Sequence, residues 1–150
     1  MDLYELIKYI HVVAAITAVG FNLSYGVWLS FNIRVPEHRL NVLRGIKLLD
    51  DRIANPAYIL LLLTGLGMVW VGSLQITTSW IAISLVLYVA LVVLGLGVFS
   101  PSLRRQIAVV ESGAQGEPYA ATARRTTASG AVLVLIALTI VFLMVTKPTF

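Results

Sequence analysis

Four long apolar stretches alternate along the chain with shorter segments that carry the charges. No Asp, Glu, Lys or Arg occurs from Tyr9 to Ile33, from Ile53 to Leu103 or from Thr126 to Thr146. A helix needs roughly 20 apolar residues to cross the hydrocarbon core of a bilayer. The middle stretch therefore holds two spans and each of the others holds one. The predicted spans cover about residues 4–31, 56–72, 80–99 and 128–145.

All four spans are predicted to be helices, because lipid offers the backbone no hydrogen-bond partner. The fold class is therefore all-α: one membrane domain, residues 1–150, built as a transmembrane four-helix bundle. Pro101 marks the end of the third span. The connecting segments 32–55 and 100–127 are predicted to be cytoplasmic and to contain short amphipathic helices. In the first segment, apolar residues recur at helical spacing among charges, which indicates a helix on the membrane surface or an inward extension of span two. These residues are Leu40, Leu43, Ile46, Leu49 and Ile53.

The positions of the basic residues predict the orientation. Segments 32–55 and 100–127 carry nine of the eleven Lys and Arg residues, whereas the loop at 73–79 has no charge. Short cytoplasmic loops are enriched in Lys and Arg. Both basic segments are therefore expected in the cytoplasm, with the N- and C-termini on the non-cytoplasmic side.

Composition narrows the function classes. The chain is 59% hydrophobic and 12% charged, about half the charge usual for a soluble domain. The net charge of +4 does not indicate nucleic-acid binding, since the basic residues lie where membrane topology places them. The chain has no cysteine, which excludes disulfides and thiolate metal sites. The expected partners are the lipid bilayer and a second copy or a larger membrane complex. No hydrolase or phosphoryl-transfer motif is present, so the sequence favours a protein that is not an enzyme.

Span one carries a stripe of polar and small side chains. At 100° per residue the stripe is about 100° wide, and the bulky apolar residues point elsewhere. Interiors of membrane bundles collect small and polar residues. The stripe is therefore expected to face the other helices. It consists of Tyr4, Lys8, His11, Ala15, Ala18, Asn22 and Tyr25.

His11 is the candidate metal ligand, since it is the one histidine within a predicted span. The functional interpretation is axial ligation of haem b. Ala15 and Ala18 would leave room for the flat macrocycle, and Asn22 and Tyr25 would contact it. Met68 and Met144 lie at a similar depth from the non-cytoplasmic surface and are candidates for the second ligand; His38 lies on the opposite side.

Several alternatives remain open. His11 could simply donate a hydrogen bond to a neighbouring helix, with both methionines as packing residues, or it could handle copper or protons. Asn22 and Tyr25 could only hold helices together. Asp50, Asp51 and Arg52 form a charged group that is interpreted as a solvated loop pairing its own charges.

The leading hypothesis for the function is a small binding or accessory subunit whose His11 face holds haem or a partner helix. Two other functions compete with it. One is a haem-dependent membrane oxidoreductase or electron carrier. The other is a structural assembly factor of a larger membrane complex.

Short motifs resemble known membrane proteins. The opening Lys8-Tyr9-Ile10-His11-Val12-Val13-Ala14-Ala15, with Gly20 nine residues after the histidine, is similar to the first span of copper-resistance D protein and of the membrane protoporphyrinogen oxidase. Nearly the whole chain resembles an uncharacterised family of bacterial four-span integral membrane proteins. That match adds Asp51-Arg52, Thr64-Gly65, Pro101 with Arg104-Arg105, and the closing residues 144–148. The likeness to the oxidase implies haem ligation by His11, and the bacterial family implies location in the inner membrane.

Overall fold

The chain folds into four long helices and no strand in the part that the structure describes. The structure is a computed structural model, and it describes residues 2–34 and 36–148. The helices are α1 (Leu3–Arg34), α2 (Pro36–Val71), α3 (Ser79–Glu111) and α4 (Glu117–Thr146). The all-α fold with four apolar helices is thus confirmed. Three helices contain their predicted spans, whereas α2 ends one residue before the predicted limit at residue 72. The span limits themselves stay predictions.

Two of the helices contain a π-helical turn just before a proline. In α2, a 3₁₀ turn Pro36–His38 and the segment Arg39–Leu49 precede the π turn Asp50–Ala54, and Asn55–Val71 follows. In α3, the π turn Gly95–Phe99 separates Ser79–Leu94 from Ser100–Glu111. Pro56 and Pro101 each lie two residues after the end of the π turn in their helix. A proline ring clashes with the carbonyl four residues earlier, and a π turn widens the helix there.

The π turns let both helices continue through their prolines. Pro101 therefore lies inside α3 and does not end it. The amphipathic residues from Leu40 to Leu49 form an inward extension of the second span, which was one of the two predicted alternatives.

Next to the loop at 72–78 the helices do not close into a complete ring, although α2 packs against α3 at the other end of the bundle. α1 packs between α2 and α4, and α3 packs against α4. However, no Cα atom of Asn55–Val71 lies within 8 Å of a Cα atom of Ser79–Leu94. One hydrogen bond crosses this gap, where the Tyr88 hydroxyl donates to the Tyr58 carbonyl at 2.7 Å. The halves of α2 and α3 next to their connecting loop are thus further apart than ordinary packed helices.

The helices are longer than a bilayer needs. The 36 residues of α2 and the 33 residues of α3 extend about 54 and 50 Å at 1.5 Å per residue, against about 30 Å of hydrocarbon. The excess lies at one end of the bundle. This "basic end" comprises the last turns of α1, residues 36–54 of α2, 95–111 of α3 and 117–126 of α4. The opposite end, with Leu3, the loop at 72–78 and Thr146, is called the "N-terminal end".

Burial differs between the basic end and the rest of the molecule. Outside the basic end, large apolar side chains cover the surface, for example Ile16, Val86 and Val145 at 69, 70 and 76% exposure. Lipid tolerates such a surface, and water does not. By contrast, the largest fully buried side chains among the described residues are concentrated at the basic end, and the smaller Ser84 lies elsewhere. They are Leu43, Ile46, Leu103, Gln106 and Thr126.

Polar contacts join the helices at the basic end. The Arg44 guanidinium forms an exposed ion pair with Glu111 at 2.7 Å, and Arg39 lies 4.2 Å from the centre of the Tyr119 ring. These contacts connect α2 to α3 and α4. Exposed pairs contribute about 0–1 kcal/mol each, so the buried apolar side chains supply most of the stability of this end.

Candidate functional site

Glycines of α2 bring it close to α1 at the position of His11. A Cβ atom at Gly65 would lie 3.3 Å from His11 Cε1, and one at Gly67 would lie 3.7 Å from Ile7 Cγ2. A Cβ atom at Gly72 would lie 2.7 Å from the Tyr4 ring. The imidazole therefore rests against the backbone of α2 at Gly65, as small residues permit in membrane helix pairs.

A hydrogen-bond relay runs from His11 through Thr64 to Leu60. The Nδ1 atom of His11 lies 2.9 Å from Thr64 Oγ1, and that hydroxyl donates to the Leu60 carbonyl at 2.6 Å. A threonine hydroxyl has one hydrogen to donate. Because that hydrogen goes to Leu60, the oxygen accepts from Nδ1–H. In the neutral imidazole the lone pair is then on Nε2.

This arrangement has the form that metal-binding histidines take. Such a histidine usually donates its second ring N–H to a fixed acceptor, which sets the tautomer and the ring orientation. Thr64 supplies that acceptor here. The same contact is the interhelical hydrogen bond that the sequence gave as the alternative to ligation. The two interpretations are compatible, since the bond uses Nδ1 and leaves Nε2 available.

The alanines near His11 differ in their surroundings. Ala18 has no exposed surface and Ala14 has 4%, so neighbouring helices fill the space beside both. Ala15 is half-buried. A macrocycle therefore has no room beside Ala14 or Ala18.

The two methionines lie toward the N-terminal end of the bundle. Met68 follows Gly65 by three residues, about 4.5 Å further along the helix, and Met144 lies near the end of α4, which packs against α1. Both are half-buried. Two surface clefts of about 520 and 400 Å³ lie elsewhere, lined by residues between 66 and 76 and between 28 and 49, and His11 lines neither.

Asn22 and Tyr25 form a separate group deeper in the bundle. The Asn22 amide donates a hydrogen bond to the Tyr58 hydroxyl, and the Tyr25 ring stacks on Phe99 with ring centres 6.4 Å apart. Asn22 follows His11 by eleven residues, which is about 16 Å along α1. The candidate residues therefore divide between two places, and Asn22 and Tyr25 join helices away from the histidine.

The family of the chain accounts for this architecture. A family model described as Predicted integral membrane protein (DUF2269) matches residues 5–148. The chain belongs to this family. No curated protein and no solved structure matches the chain. The DUF2269 chain is thus an integral membrane protein that lies in a lipid bilayer, as predicted. Its likeness to copper-resistance D protein and to the oxidase stays a prediction.

Asp50 of the DUF2269 protein is placed differently from the sequence prediction. Its side chain is buried, at 7% exposure, whereas Asp51 is exposed and pairs with Lys47. The prediction of a loop is wrong, because both residues lie in the π turn of α2. Asp51 is solvent-exposed as predicted, and Asp50 is not. Burial raises the pKa of the Asp50 carboxyl, and Lys47 nearby opposes this change.

Thr64, Tyr58 and Asp50 are the polar residues of this DUF2269 protein that sequence reasoning missed. Thr64 entered through the resemblance to the bacterial family, without an assignment to His11. The signal for Asp50 was present, because it lies four residues from both Ile46 and Ala54, and residues so spaced share a helix face. Tyr58 continues the same spacing, four residues after Ala54.

Proposed function

We propose that this protein is a haem-binding accessory subunit in the membrane, with His11 as an axial ligand of haem b. The relay from His11 through Thr64 to Leu60 carries the proposal, because it leaves the Nε2 lone pair that iron requires. Haem iron held there would supply one-electron redox chemistry or ligand binding.

The residues around His11 would supply a second axial ligand and positive charges for the haem propionates. Ala15 is the small residue beside the histidine, and Met68 or Met144 would be the second ligand if the iron is six-coordinate. Lys8, one turn closer to the N-terminal end, is exposed, as is Lys147. Their ammonium groups would pair with the haem propionates. The packing at Ala18 would keep the macrocycle near the N-terminal end.

Haem content separates this proposal from its competitors. A structural assembly factor would hold no haem, and a haem-dependent oxidoreductase or electron carrier would hold it and also turn over. The accessory role further implies a second copy or a larger membrane complex as partner, which crosslinking in native membranes and co-purification would identify.

We expect the protein, produced with a haem supply and purified in detergent, to show a Soret band. The band should disappear in His11→Ala, which removes the ligand. Thr64→Val keeps the shape but removes the acceptor for Nδ1–H, so haem affinity should fall about 10–100-fold, as for other residues that hydrogen-bond to a metal-binding histidine. His38→Ala is the matched control, since His38 is exposed at the basic end. A colourless wild-type protein, or a band unchanged in His11→Ala, would overturn the proposal.

We propose that the basic end faces the cytoplasm of a bacterial cell, with the protein in the inner membrane. Nine of the eleven basic residues support this orientation. The chain has no cysteine, so single introduced cysteines report topology cleanly. In intact spheroplasts, a membrane-impermeant maleimide should label Gln75→Cys, and should label Gln115→Cys only after permeabilisation. Both positions are exposed. The opposite labelling pattern would contradict this orientation.

A further inference from the structure

One of two adjacent carboxylates lies inside the core of the basic end. Asp50 shares a helix face with Ile46 and Ala54, four residues to either side, and both belong to the apolar cluster that also contains Tyr25 and Phe99. The Asp50 side chain is accordingly buried. The structure thus holds a carboxyl group among apolar side chains, where its charged form is costly.

No ion pair offsets this charge in the described part of the chain. The Lys47 ammonium pairs with Asp51 and not with Asp50, and Arg104 of α3 acts on Asp50 only from a distance. On its own helix the Asn55 side chain hydrogen-bonds to Asp50, Asp51 and Tyr58 are further neighbours, and α1 contributes Tyr25. No charged group of α4 is seen to act on Asp50. A buried carboxyl without a close cation usually becomes neutral.

Two tyrosine hydroxyls near Asp50 have unused hydrogen-bonding capacity. Tyr25 is 2% exposed, and its hydroxyl has no partner in the described residues. The Tyr58 hydroxyl accepts from Asn22, and its own hydrogen has no acceptor among the hydrogen bonds of the described chain. Both lie within electrostatic range of Asp50. An unpaired buried hydroxyl is costly, so the cluster is suited to a carboxylic acid or an ordered water molecule as partner.

We propose that Asp50 is a proton-binding site, whose buried carboxyl keeps its proton in the folded protein at pH values where an ordinary aspartate is ionised. The carboxylate takes one proton from hydronium in the water at the basic end and releases a water molecule. Asp50 precedes Val71 by 21 residues, about 31 Å, so it lies at the edge of the hydrocarbon core of about 30 Å. The site is independent of haem and of His11.

Infrared titration tests the proposal. The carbonyl band of a protonated carboxylic acid should persist in the wild-type protein to a higher pH than for an ordinary aspartate, and this component should be absent in Asp50→Asn. It should be retained in Asp51→Asn, the matched control. A wild-type protein whose carboxyls all titrate near the ordinary value of about 3.9 would overturn the proposal, as would a band retained in Asp50→Asn.

The pH dependence of the free energy of unfolding gives a second test, which needs no infrared spectrum. Above the unfolded pKa of about 3.9, the folded state holds the proton that the unfolded state loses. Wild-type stability should therefore fall as pH rises, until Asp50 ionises in the folded state. Asp50→Asn should remove this slope, and Asp51→Asn should keep it. A wild-type stability that is flat over this range, or one set by sodium concentration at constant pH, would contradict proton binding.

Discussion

Leu43→Ala is expected to lower the free energy of unfolding by about 2–5 kcal/mol, the range for a buried leucine whose cavity is not refilled. Leu43 has no exposed surface and packs in the cluster with Ile46 and Leu103. It precedes Val71 by 28 residues, about 42 Å along α2, so it lies beyond the hydrocarbon. Unfolding there exposes the side chain to water, and the full hydrophobic effect applies.

Leu48→Ala on the same helix is the matched control. Leu48 is 58% exposed, and its removal should change the free energy by less than about 0.5 kcal/mol. Both variants would be unfolded with denaturant in the same detergent. Equal losses in the two variants would mean that Leu43 does not lie in a buried apolar core at the basic end, contrary to its burial in the structure.

Gly65→Leu is expected to cost about 1–3 kcal/mol or more, because extra carbons in a filled site force the backbones apart. The Cβ atom alone would lie 3.3 Å from His11 Cε1, and the remaining leucine carbons need the space of the imidazole. The bond between His11 and Thr64 should break, so haem affinity should fall together with stability. Unfolding and haem titration of one preparation measure both.

Gly20→Leu is the control for this substitution. Gly20 is exposed on α1, and a Cβ atom there has no neighbour within 4 Å, so the leucine extends into lipid. It should leave both stability and haem affinity unchanged. If Gly65→Leu behaved in the same way, α1 and α2 would not pack at Gly65 as described.

The spans were predictable, because lipid imposes the length and composition of each crossing helix. The helical extensions at the basic end were harder to predict. Pro56 and Pro101 indicate helix boundaries in a sequence, and only the π turns before them let α2 and α3 continue. A π turn depends on packing around it and has no sequence pattern of its own.

The sequence predicts which face of α1 carries the candidate site, but not which residue of α2 meets it. Helical periodicity places His11, Asn22 and Tyr25 on the inner face of α1, and Asn22 and Tyr25 are indeed buried. Which residue of α2 meets His11 depends on the vertical register of the two helices, set by contacts at Gly65 and Gly72. Depth estimates gave Met68 and Met144 a similar level to His11, but depth alone does not fix distances across the bundle.

Ligation of haem iron by His11 is tested most directly by hyperfine spectroscopy. In the His38→Ala variant, His11 is the one remaining histidine. The haem-loaded ferric protein would be prepared with ¹⁴N- or ¹⁵N-histidine and measured by pulsed electron paramagnetic resonance. A strong coupling from the iron to a histidine nitrogen that changes with the isotope is predicted. Identical spectra from the two preparations would contradict ligation by His11.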